Sequence, residues 1–211
     1  PNRRRLILFL LLMVLVGLNL RPALSSLAPL LLRIQVDTGL SPLAIGALTT
    51  LPVLCLGVFA PLAPWLAKRI GPERTLTLAL GILIAGLLLR GTPSVPSLFI
   101  GTLLAGAAIG IAGTLLPALV KRELPGGADL MTGVYTMALC LGGALGAGLS
   151  IPLADLLGGW RFSLISWGLL AGIALVAWVS LMPRTPRAIT TPQAGGSMRE
   201  LLGQPLAWQV M

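Results

Sequence analysis

Six long apolar stretches, joined by short connections rich in charge, glycine and proline, govern what this chain can fold into. They cover residues 6–32, 43–66, 73–91, 97–120, 130–154 and 162–182. A helix needs about 20 apolar residues to cross the hydrocarbon core of a bilayer. All six reach that range, and 73–91 lies near its lower limit. Lipid offers no partner to backbone N–H and C=O groups, so such stretches must satisfy them internally, as helices do. The connections read "RIQVDTGLSP", "AKRIGPER", "RGTPSVP", "KRELPGGAD" and "DLLGGWR". They are short enough to join antiparallel neighbours. The expected architecture is all-α: a polytopic six-helix transmembrane bundle over residues 6–182.

Composition agrees. Hydrophobic residues make up 56% of the 211 positions and charged residues only 10%, against about 25% charged in soluble domains. Too little polar surface exists to cover a water-soluble body. The net charge of +9 does not point to nucleic acid, because the bases sit in short bursts between apolar runs. A nucleic-acid module would gather them on one face or groove. Their distribution instead sets an orientation. With the N-terminus inside, eleven bases are inner (Arg3, Arg4, Arg5, Lys68, Arg69, Arg74, Lys121, Arg122, Arg184, Arg187, Arg199) and three outer (Arg33, Arg90, Arg161). The positive-inside rule then places both ends of the bundle in the cytoplasm, across a bacterial-type inner membrane.

Arg3 to Arg5 ahead of an apolar run imitate a secretory signal, but the run continues past any short signal core, so a retained first span is expected. After the sixth stretch, "PRTPRAITTPQAGGSMRE" reads as a polar cytoplasmic linker over 183–200. Residues 201–211 turn apolar again and are expected to open a second half.

Chemistry is sparse. All six acids (Asp37, Glu73, Glu123, Asp129, Asp155, Glu200) fall in or beside connections, and histidine is absent. Neither a buried carboxylate relay nor a nucleophile–base pair can be built here, so the chain does not read as an enzyme. Nothing suggests a metal or another cofactor, and Cys55 and Cys140 read as packing thiols inside apolar runs. Glycines at helix-packing spacing, Gly106 with Gly110 and Gly142 with Gly146, mark contact faces between helices. Trp65, Trp160 and Trp178 fall near span ends and are expected as interface anchors, with Trp167 either anchor or packing.

The exception is Arg21, a charge in the middle of the first stretch, between Asn19 and Pro22. An arginine at a helix centre costs roughly 2.5–3.5 kcal/mol on insertion scales, and neither interface is within snorkelling reach. The expectation is a guanidinium facing a water-filled cavity, with Asn19 and Ser25 beside it. Pro22 and Pro29 interrupt the backbone ladder, which is tolerated at membrane depth where the chain lines such a cavity. A guanidinium keeps its proton and offers a planar fork of donors, suited to an anion or a polar planar molecule. Substrate ligand and structural pin both fit the residue. Arg90, at the outer end of the third stretch, either snorkels or lines an entrance. Thr49, Thr50, Thr114, Tyr135, Thr136 and Ser150 are further candidates to line the cavity, although a threonine in an apolar helix commonly bonds its own backbone.

The stretches "LNLRPALSSLAPLL", "LLLR" at 87–90, "GAAIGIAGTLLPALVKRELP", "MTGVYTMALCLGGALGAGLSIPLA" and "GWR" resemble the cyanate and 2-nitroimidazole transporter family of the major facilitator superfamily, in order across 6–182. The resemblance implies a twelve-helix carrier, of which this chain is the N-terminal half, working by alternating access with a C-terminal six-helix half. It implies a small solute as partner, alongside the lipid bilayer, with no nucleic acid and no cofactor. It places Arg21 and Asn19 in the substrate site; Ser25, Tyr135 and Thr114 stand as candidates on the reading of the residues themselves. The connection after the second stretch resembles the superfamily's gating loop, with Arg69, Gly71 and Arg74 in place and Lys68 where that pattern has an acid. Cyanate-like anions and small planar heterocycles are the implied substrates. A multidrug exporter of the same superfamily is the alternative, and a non-transporting membrane scaffold would have no use for Arg21.

Overall fold

The computed structural model of the chain describes residues 3–123 and 127–181. The expected linker at 183–200 and second-half segment at 201–211 lie outside the described residues, as do the side chains of Arg3, Arg4 and Arg5. Among the described residues, six helices or helix runs are long and apolar enough to cross a membrane.

The first run, Ile7–Thr38, is assembled from pieces: α1 (Arg3–Leu20), α2 (Pro22–Ser25), a 3-10 turn (Ala28–Leu30) and α3 (Leu31–Thr38). It continues past the apolar limit at residue 32 because its charges find partners across the bundle. Arg33 Nη1 lies 2.6 Å from Asp155, and Arg161 Nη2 lies 2.9 Å from Asp37. Gly39 closes α3 with φ 68°, a left-handed conformation that costs glycine nothing. Ser41 then caps α4 (Pro42–Phe59) by accepting from the Ala44 N–H at 3.3 Å.

After an offset at Ala60 and Pro61, α5 (Leu62–Ile70) prolongs the second run. Gly71, at φ 93°, separates it from α6 (Pro72–Arg90), which Pro72 opens without an N–H to waste. The rest are α7 (Val95–Glu123), α8 (Ala128–Leu157) and α9 (Trp160–Leu181).

α1 and α2 lie along α8 with α9 behind α1, α4 packs on α7, and α6 fits between α7 and α9. The shared core includes Met13, Val16, Leu20, Leu83, Leu116 and Trp178. Small residues bring the helices together, as their spacing suggested. A Cβ on Gly106 would stand 2.8 Å from the Pro52 Cα of α4, and one on Gly86 would stand 2.7 Å from the Gly101 carbonyl of α7. Gly142 and Gly146 likewise admit the backbone of Leu18 and Pro22. Lipid tails are as apolar as leucine, so close backbone approach supplies much of the association.

Two tryptophans expected at the membrane interface are buried instead. Trp160 donates its indole N–H to Asp37 at 3.1 Å, and Trp178 sits in the core with its indole 3.4 Å from the Glu73 carbonyl. Trp167 is also packed, donating to the Ser150 hydroxyl at 3.2 Å. A buried indole keeps its place when its single donor finds an oxygen. Trp65 alone of the four is exposed.

Gly142→Ala should lower stability in detergent by about 1–3 kcal/mol, the usual cost of forcing a methyl into a filled contact. Gly148→Ala, where a Cβ meets nothing within 4 Å, should leave it unchanged. Denaturant unfolding of the two purified variants compares them directly.

Candidate functional site

The site begins with two missing N–H groups. Pro22 cannot donate to the Leu18 carbonyl, nor Pro29 to the Ser25 carbonyl, so the helix ladder of the first run fails twice within two turns. The chain responds with a turn at Arg21, one short helical turn (α2), another break at Ser26 and Leu27, and a 3-10 turn. The Leu24 and Ser25 N–H groups both reach back to the Arg21 carbonyl at 3.0 Å. α8 occupies the space beside this break because Gly142, Gly143 and Gly146 leave it empty of side chains.

Arg21 projects from the break and is exposed, its Cβ lying against Gly143 of α8. Among the described residues no carboxylate pairs with it. Ser25, one turn on, is partly exposed and its hydroxyl donates to the Arg21 carbonyl at 3.1 Å. Tyr135 of α8 is 6% exposed and packs its ring against Gly17, four residues before Arg21. Thr136, seven residues before Gly143, shares the α8 face that Arg21 touches. Arg21 and Ser25 thus come together, with Tyr135 packed about one helical turn before them.

The other two candidates bond carbonyls of their own helices, and Thr114 is exposed. Asn19 is only 3% exposed, and its side-chain amide donates to the Leu15 carbonyl of its own helix at 2.8 Å. Thr114 donates to Gly110 at 2.9 Å and shares a helix face with Ala107 and Ile111. Those two residues line a groove formed with α5 and α6. Thr49, Thr50 and Thr136 also bond their own helices.

In the candidate gating connection, Lys68, Arg69 and Arg74 are exposed, and Arg69 covers the Trp65 ring at 4.3 Å. Five residues after Lys68, Glu73 in the first turn of α6 pairs with Arg122 near the end of α7. An acid at a helix N-terminus also suits the helix dipole.

Sequence reasoning underrated Arg90. It neither snorkels nor lines an opening, but is 0% exposed. α6 is short while the first run is long, so the end of α6 comes level with the break and not with the outer tip of α3. Its Nη1 donates to the Ala23 carbonyl at 2.5 Å and its Nε to the Thr102 hydroxyl at 3.1 Å. The available signal was the shortness of 73–91 itself.

The sequence profile of the Major Facilitator Superfamily matches residues 6–211. The chain is 38% identical over 198 residues to the uncharacterized transporter YycB of Bacillus subtilis (strain 168), covering 93% of this chain and 49% of that protein. It is 34% identical over 197 residues to the 2-nitroimidazole transporter of Escherichia coli (strain K12), covering 93% and 50%. To the cyanate transport protein CynX of the same strain it is 35% identical over 188 residues, covering 87% and 49%. The chain therefore spans about half the length of these relatives. The inward-open xylose transporter XylE of E. coli superposes with a TM-score of 0.73 at 20% identity, over 96% of this chain and 53% of that one. The likeness places the six-helix bundle in the major facilitator fold.

A cysteine at Ser25 should react with a charged, water-soluble thiol reagent, while one at the buried Ser26 should react roughly tenfold more slowly or not at all. Labelling rates of the two variants, in full-length protein with Cys55 and Cys140 replaced by alanine, test whether the break is wet.

Proposed function

The chain belongs to the Major Facilitator Superfamily of membrane transporters, and from that premise we propose that it recognises a small polar or anionic solute through Arg21. Cyanate-like anions and small planar heterocycles are the substrate class. The observation that carries this reading is the Arg21 guanidinium, exposed and without a carboxylate partner among the described residues, at a break in a membrane-spanning run. Counted from Ile7 at 1.5 Å per residue, it lies about 21 Å along that run, far from either end.

The chemistry follows from the cation. A guanidinium presents paired, coplanar N–H donors, which match the two oxygens of a nitro group or the terminal lone pairs of a linear anion. Low dielectric around it strengthens the attraction once water is displaced. Ser25 and Tyr135 add uncharged polar groups beside it. The names of two relatives, a cyanate and a 2-nitroimidazole transporter, agree with this class.

In the proposed cycle a C-terminal six-helix half closes over the open face of α1 and α8, and the two halves rock about the site to expose it to each side in turn. The orientation proposed is N-terminus and linker inward across a bacterial-type inner membrane. Support comes from the bases Lys68, Arg69, Arg74, Lys121 and Arg122, which collect at the end of the bundle where Glu73 meets Arg122. The connection around Gly71 then acts as a cytoplasmic gate element.

In proteoliposomes of the full-length protein, Arg21→Ala should reduce saturable uptake of labelled cyanate or 2-nitroimidazole by roughly 100-fold, the loss of a bidentate charge-assisted contact. Arg21→Lys should retain part of it. Parental uptake by the alanine variant, inserted normally, would remove Arg21 from the site.

A further inference from the structure

The buried Arg90 has no direct part in solute recognition by Arg21, yet among the described residues it is the one charged side chain that is fully buried. A guanidinium taken fully out of water needs a compensating charge or a complete set of hydrogen bonds. Arg90 has neither. Among the described residues it meets no carboxylate, its Nη2 is buried without a partner, and only Nη1 and Nε are engaged.

Its surroundings are shaped to admit it. Gly101 clears the Arg90 stem, since a Cβ there would lie 3.0 Å from its Cγ, and Gly86 lets α6 and α7 close enough for Thr102 to reach Nε. The far end meets the Ala23 carbonyl. That carbonyl lies in the four-residue α2, two positions after Arg21. Three positions on, Ser26 holds a buried hydroxyl with no partner. The junction of α2, α6 and α7 thus carries spare donors around one charge-assisted bond.

We propose that Arg90 is the positioning residue of the substrate site: by gripping the Ala23 carbonyl it fixes how α2 leaves the break, and so fixes the direction in which Arg21 and Ser25 face the solute. This rests on the reading of Arg21 as the ligand. A short helix flanked by two breaks has few bonds of its own to resist rotation, so one strong bond to its backbone controls its angle. Thr102, whose hydroxyl donates to Leu98 at 2.7 Å, holds the other side of the Arg90 fork. A purely structural filler would serve as well with methionine, since apolar replacements of buried charges are often neutral or stabilising.

The test uses full-length protein lacking Cys55 and Cys140 and carrying Ser25→Cys. Labelling of that thiol by a charged methanethiosulfonate reports the angle of α2 without any transported solute. Arg90→Met should keep its thermal midpoint in detergent and shift the labelling rate roughly tenfold, the weight of one hydrogen bond to a charged group. With cysteine-free protein in proteoliposomes, the KM for cyanate should rise by about the same factor while the maximal rate changes less. Arg90→Lys should restore part of both. Parental labelling and parental KM in a folded Arg90→Met protein would overturn the proposal.

If Arg90→Met does not insert, Arg90→Lys and Thr102→Val carry the same expectation, and parental values in both would overturn it. A shifted labelling rate beside normal transport by Arg21→Ala would sink the ligand reading and overturn Arg90 as a positioning residue for Arg21, leaving only its hold on the angle of α2. Unshifted labelling beside an inactive Arg21→Ala would overturn the positioning role and leave the ligand reading standing.

Discussion

A helix that crosses lipid must account for every backbone carbonyl, and the first run of this protein leaves two of them without their usual donors. Pro22 and Pro29 cause this, and most features near the site follow from how the fold absorbs it. The glycines of α8 let the chain run against Leu18 and Pro22 without side chains between. Arg90, reaching from α6, takes the carbonyl of Ala23. The turn that results is what allows Arg21 to leave the helix axis at membrane depth. Without the prolines, an arginine at this position would sit on a continuous helix with its backbone closed and no break to hold it.

Two arginines therefore share one neighbourhood with opposite roles. Arg90 is sealed and spends its donors on backbone and hydroxyl oxygens, while Arg21 is open and meets no carboxylate among the described residues. The pairs at the bundle ends are of another kind. Arg33 with Asp155, Arg161 with Asp37 and Arg122 with Glu73 are partly or largely exposed, and such pairs add little stability because water screens them. Their value is register: they hold the ends of α3 and α7 against neighbouring helices. Burial of glycine-lined backbone, not ion pairing, holds the bundle together.

The bundle was legible in the sequence because lipid imposes a strict rule on length and polarity. Among the described residues there are six span-length apolar helix runs, close backbone contacts at Gly106 and Gly142, and a break at Pro22. The extent of α3 was not legible, since Arg33 and Asp37 look like loop residues until their partners on α8 and α9 are known. Trp160 and Trp178 were misjudged for a related reason: position near a span end says nothing about which way a ring turns. Asn19 turns onto its own helix although it lies two residues from Arg21, because side chains two apart on a helix face different directions. Arg90 was the hardest to judge, as its environment comes from Ala23 and Thr102, far away in the sequence.

The most direct test is a structure of the full-length protein in a lipid nanodisc with cyanate or 2-nitroimidazole present. Recognition through Arg21 predicts ligand density within hydrogen-bonding distance of its guanidinium, beside Ser25 and facing the second half of the carrier. A guanidinium found clasped by a carboxylate from that second half, with the ligand elsewhere, would contradict it.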